Sequence, residues 1–134
     1  VRILSACSWR AREGLTLVLQ PQSAGNVLRR WLYSEGLELL REEPVQDGSF
    51  LYTVMQLRAG SPAPLTPGQE YASPALLQSG NPLVGAYLAR VETALIATVE
   101  GLTGAEKQRP ERLAYFSQAL HEIQEMRKHY GDNS

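Results

Sequence analysis

Gln20 and Gln22 flank Pro21 directly after the apolar run Leu15-Thr16-Leu17-Val18-Leu19. A carboxamide offers one donor and one acceptor side by side, the pattern that the edge of a nucleobase presents in reverse. Polar residues at the carboxyl end of a strand are where open α/β sheets keep their ligand crevice. The plainer alternative is that both amides only cap the turn. Arg29 and Arg30 follow on the next segment, within reach of a phosphate or merely part of a solvated face. A third group, Lys107, Arg109 and Arg112, forms a local positive patch suited to RNA, or a solubilising loop.

Other chemistries are disfavoured. Gly101 and Gly104 flank a helix end instead of following a strand, so no glycine-rich cofactor motif is present. No nucleophile elbow occurs, and His121 and His129 lack an evident Ser or Cys partner. Glu42 and Glu43 are adjacent on an expected strand, so they point to opposite faces and are read as a solvated edge. Tyr52 reads as a half-buried strand aromatic. Cys7 is the single cysteine among 134 residues, which excludes an internal disulfide and a zinc-ligand cluster; no metal is expected, and a reducing cytoplasm is the default. The net charge of −1 confines any nucleic-acid contact to a local patch. No membrane span or export signal is expected. The first residues, Val1-Arg2-Ile3-Leu4, read as mid-helix, with residues expected upstream.

These side chains need elements to hold them. Ile3, Leu4 and Cys7 fit a short helix over 2–12, and the run 15–19 fits a strand covered on both faces in a central parallel position. Pro21 stops it, Ser23 or Asn26 caps the next helix, and Val27, Leu28, Trp31 and Leu32 make that helix's expected inward stripe. Gly36 ends it; strands are expected over 37–43 and 50–57 around the Asp47-Gly48 turn, one parallel step followed by an antiparallel edge pair. The Gly, Pro and Ser content of AGSPAPLTPGQEYAS marks a connector. Beyond it, Val84, Leu88, Val91, Leu95, Thr98 and Leu102, then Leu113, Phe116, Leu120 and Ile123, carry the alternating spacing of a coiled-coil seam. Two such helices are expected to fold back as an antiparallel hairpin, with 1–60 a sheet unit, 61–82 the connector and 83–130 the hairpin.

Arg2-Ile3-Leu4, Leu19-Gln20-Pro21, Leu28-Arg29-Arg30-Trp31-Leu32, Asp47-Gly48, Tyr52, Ser73-Pro74-Ala75-Leu76-Leu77 and Asn81-Pro82-Leu83 together resemble, in order and spacing, the carboxyl-terminal part of the bacterial S-adenosylmethionine-dependent tRNA (adenine-22-N1)-methyltransferases. Gln22 stands where that family usually has Asn, and Ser73 where it usually has Gly. The resemblance implies an α/β fold: the distal half of a Rossmann-like methyltransferase sheet with an antiparallel hairpin, plus a carboxyl-terminal coiled-coil pair. It implies S-adenosylmethionine as cofactor of the parent protein, with the cofactor motif outside this stretch and the stretch alone inactive. It further implies tRNA as partner and methyl transfer to N1 of adenine by in-line displacement, aided by positioning. Gln20, Pro21, Gln22, Arg29 and Arg30 are then the expected substrate-side residues, the two glutamines on the base-facing rim and the two arginines contacting phosphate or packing the crevice, and Lys107, Arg109 and Arg112 are the expected RNA contacts. The competing reading is a non-catalytic RNA-binding or protein-interaction module that works through the hairpin. Self-association through the hairpin or an exposed sheet edge is a further expectation.

Overall fold

Leu15–Leu19 forms strand β1, and Gly25–Ser34 forms helix α1. The computed structural model describes residues 15–19, 25–104 and 110–131. The helix expected over 2–12, the Gln20-Pro21-Gln22 triplet, Ser23, Lys107 and Arg109 lie outside the described residues. Helix α1 ends at Gly36, whose φ of 72° is open to glycine at little cost. Strand β2 covers Leu37–Asp47 and β3 covers Phe50–Ala59, both longer than expected. Asp47 pairs with Phe50 across a two-residue turn. Gly48 takes φ 62° at the first central position, the type II′ geometry whose twist suits a hairpin.

The strand order is β1-β3-β2, with β3 antiparallel to both neighbours. β1 and β2 therefore run in the same direction but do not touch, and one expectation needs correcting. The antiparallel pair does not simply extend the edge, because the tight turn folds β3 back into the gap between β1 and β2. Among the described residues β1 has an antiparallel partner only. A bulge between Leu39 and Arg41 leaves Leu40 without a partner in the ladder.

Three further helices follow: α2 (Pro74–Leu77), α3 (Val84–Gly104) and α4 (Pro110–Met126), the last continuing into a π-helical turn over Arg127–Gly131. Apolar burial is divided between two clusters. Leu32 of α1 packs with Met55 and Leu57 of β3, flanked by Leu28, Leu37 and Leu39. Leu51, Ala72, Leu76, Tyr87, Leu88, Val91, Leu95, Ala119 and Ile123 form the second, so α3 and α4 pack on each other and on the start of β3. Glu92 of α3 accepts hydrogen bonds from Gln124 and Arg127, which sets the two helices side by side. The segment expected to be only a connector supplies buried Ala72, Ser73 and Leu76. It is strapped to α4 where the Gly68 N–H donates to Glu122 Oε1 at 2.9 Å, an oxygen that the Thr66 hydroxyl also meets. Among the described residues no helix is long and apolar enough to cross a membrane.

Half of the inward stripe expected of α1 is in place, with Leu28 and Leu32 packed towards β3, and half is not. Val27 and Trp31 are 56% and 50% exposed, while Asn26, Arg29 and Leu32 are buried. The helix is rotated because Arg29 answers a buried carboxylate on β2, and an unpaired charge there would cost more than two exposed apolar side chains.

Candidate functional site

Arg29, buried on α1, joins two other segments of the chain. Its Nη2 pairs with Glu42 Oε2 on β2, and its Nη1 donates to the Glu70 carbonyl at 3.0 Å. Its Nε has no hydrogen-bond partner among the described residues. Glu42, 1% exposed, also accepts from Thr53 Oγ1 at 2.6 Å and from Ser73 Oγ. Burial draws the Arg29 guanidinium towards its neutral form, but Glu42 and Tyr87 outweigh it, so its pKa stands above the ordinary arginine value. Burial holds the Tyr87 phenol above its usual pKa, and Arg29 only partly offsets this.

Glu43 is 8% exposed on the other face of β2 and accepts from Asn81 Nδ2 at 3.3 Å. The opposite orientation of the two glutamates is as expected, but the solvated edge is not. Both faces of β2 are covered here, since Glu42 to Val45 are buried in succession. Each glutamate also meets a residue that starts a helix. Ser73 caps α2 by accepting from the Leu76 N–H at 3.1 Å, and Asn81 Oδ1 accepts from the Leu83 N–H at 2.8 Å just before α3. A serine or asparagine ahead of a helix was a legible capping signal; the carboxylates behind them were not.

Arg30 projects to the opposite flank. Its Nε and Nη2 donate to the two oxygens of Glu70 at 3.2 and 3.0 Å, and its guanidinium lies 5.2 Å from the centre of the Tyr115 ring. Tyr115 donates to Glu70 Oε1 and accepts a 3.4 Å bond from Asn26 Nδ2. The Glu70 hydrogen bonds raise the Arg30 pKa despite desolvation, while burial and then Glu70 raise that of Tyr115. Glu70 thus holds both arginines, one by its carbonyl and one by its carboxylate. Nothing in the Pro- and Gly-rich sequence around it signals that role.

Of the expected site residues, the structure places Arg29, Arg30 and Arg112. Arg29 is enclosed with Glu42, so of the two roles expected of it the phosphate contact is corrected: a guanidinium 2% exposed and already paired cannot reach a backbone in solvent. Arg30 stays 54% exposed and Arg112 is exposed, its guanidinium 5.7 Å from the centre of the Phe116 ring. Tyr52 is half-buried, with Phe50 tilted beside it. A separate apolar cavity of about 350 Å³ lies between α1, the sheet and the strap, lined by Leu32, Tyr33, Leu39, Leu57, Pro62 and Leu65. No cluster of His, Cys, Asp and Glu fit to hold a metal ion occurs among the described residues.

A strand, a helix and a hairpin whose last strand is inserted antiparallel between the first two, with a packed helix pair beyond it, define an α/β protein, and solved structures share the fold. A Streptococcus agalactiae protein of the NADB-Rossmann superfamily aligns with a TM-score of 0.59 at 22% identity, over 83% of this chain and 47% of its own. The Bacillus subtilis m1A22 tRNA methyltransferase TrmK aligns at 0.61 and 19% identity, over 83% and 50%. A Streptococcus pneumoniae candidate tRNA (m1A22) methyltransferase, solved with S-adenosyl-L-methionine, aligns at 0.58 and 19%, over 83% and 46%. The chain thus spans about half the length of these relatives. No curated protein matches it. The tRNA (adenine(22)-N(1))-methyltransferase family, TrmK, matches residues 1–125, and the chain belongs to that family.

Proposed function

We propose that this chain serves the substrate side of methyl transfer from S-adenosylmethionine to N1 of an adenine in tRNA, in the cytoplasm. The family match over residues 1–125 carries the reading. In it, the sheet is the distal half of a class I methyltransferase sheet, residues 1–60 and 83–130 are separate units joined by 61–82, and α3 with α4 is a coiled-coil hairpin that docks on the tRNA body. The β1-β3-β2 order with its inserted antiparallel strand supports the first of these assignments.

The described residues do not fit the cofactor. No glycine-rich turn follows a described strand. What the chain supplies is positioning. The Arg29–Glu42 pair fastens α1 to β2, and Gln20 and Gln22, on the segment preceding α1, line the base-facing rim. Arg30 and the Lys107, Arg109 and Arg112 group meet the RNA.

The test is transfer of a labelled methyl group to an unmodified tRNA transcript by the intact protein that carries this chain, with the product read as N1-methyladenine after nuclease digestion. Gln20→Ala is expected to lower turnover at least about tenfold with the melting temperature unchanged, as loss of a positioning group does. No N1-methyladenine from the unaltered protein overturns the activity, and unchanged turnover in Gln20→Ala overturns that residue's role.

A further inference from the structure

α1 and α4 do not close on each other completely. Between them is a cleft of about 500 Å³ lined by Asn26, Val27, Arg30, Arg112, Tyr115 and Phe116 together with Glu111. We propose that this cleft seats one unpaired nucleotide of an RNA, held by stacking more than by charge; this rests on the RNA substrate proposed above and assigns it a place on this chain.

The lining consists of two arginine–aromatic stacks standing next to each other. Arg30 lies 5.2 Å from the Tyr115 ring centre and Arg112 5.7 Å from that of Phe116. The two rings meet edge to face, 4.9 Å apart at 82°. A guanidinium that lies on a ring with one face presents its other face to an incoming base, and unpaired bases stack on arginine planes and on aromatic rings alike. The charge is nearly balanced. Glu70 neutralises Arg30 through two hydrogen bonds, and Arg112, with no carboxylate partner among the described residues, has only Glu111 near it in the cleft. A groove that tracks a phosphate backbone needs several uncompensated cations, whereas this one offers about one, which fits a site that reads a base and touches a single phosphate. Val27, exposed and apolar at the mouth, adds surface for a ring. The Asn26 amide, tied to Tyr115 by a bond of only 3.4 Å, can exchange it for the edge of a base.

The probe is an RNA hairpin with the sequence of the tRNA substrate and 2-aminopurine at its unpaired positions, titrated with the full chain. Binding is expected to quench the fluorescence as a base stacks. Phe116→Leu, which keeps the apolar volume and removes the ring, is expected to weaken binding about tenfold or more and to abolish the quench. Arg112→Gln is expected to weaken it several-fold and to reduce the slope of log affinity against log salt by about one. Circular dichroism checks that both variants fold, and if Phe116→Leu does not, Arg112→Gln decides alone. RNA binding with the same quench, affinity and salt slope in the variants as in the unaltered chain overturns the cleft and leaves the RNA reading intact. No binding by the unaltered chain also overturns the cleft, and the methyl-transfer assay then decides the broader reading on its own.

Discussion

Arg29 and Arg30 are neighbours on one helix, and both are held by Glu70, yet they sit in opposite environments. The side chains of Arg29 and Glu42 are 2% and 0% exposed, whereas that of Arg30 is 54% exposed against a Glu70 side chain that is 12% exposed. Successive helical residues point about 100° apart, so a short amphipathic helix sends one arginine to the interior and the next to the rim. The difference is energetic as well as geometric. The inner pair joins α1, β2, β3 and the strap through Thr53, Ser73 and the Glu70 carbonyl, and loss of either partner strands a buried charge. The outer pair keeps access to water and is worth little to the fold, which leaves it free to meet a ligand.

The comparison breaks most decisively at Glu42. Glu42→Ala leaves a buried guanidinium uncompensated and two buried hydroxyls without their acceptor, so a loss of about 3–5 kcal/mol in urea unfolding is expected. A loss below about 1 kcal/mol would mean that the inner network is no more demanding than the outer one.

Alkaline pH sharpens the same contrast at Tyr87. Its phenol is held above the ordinary value by burial, so the native state favours the neutral form. The stability this contributes is fully present below pH ~10, where the unfolded phenol titrates, and is lost as pH rises towards the folded value. Urea midpoints measured from pH 8 to pH 11 should therefore fall more steeply in the unaltered chain than in Tyr87→Phe, and parallel curves would remove Tyr87 from the network.

The smallest effects belong to the exposed flank. Arg30→Ala and Trp31→Gln should each change stability by less than about 1 kcal/mol in thermal melts. If Trp31 occupied the inward stripe that the sequence suggests, its replacement would cost about 3–5 kcal/mol.

Local signals were legible where the physics is local. The Asp47-Gly48 hairpin, the Gly36 helix stop and the paired apolar helices beyond Pro82 follow from φ preferences and periodicity, and the structure has each of them. What failed did so for a common reason. Val27 and Trp31 look inward on hydrophobicity alone, and the Glu42-Glu43 pair looks solvated on charge alone, because a sequence shows a side chain's cost of burial but not the partner that offsets it. Glu42 acquires Arg29, Thr53 and Ser73 from three separate segments, and Glu70 acquires Arg30 and Tyr115 from two helices.

By itself, the sequence determined the family, the kinds of elements and where their turns fall, since residue types and short spacings carry that information. Only the tertiary structure decided which of two adjacent arginines is interior, that the Pro- and Gly-rich strap is part of the core, and that α1 and α4 leave a cleft lined by two rings set edge to face. Those outcomes depend on charges and donors far apart in the chain meeting in space, where burial makes their pairing obligatory.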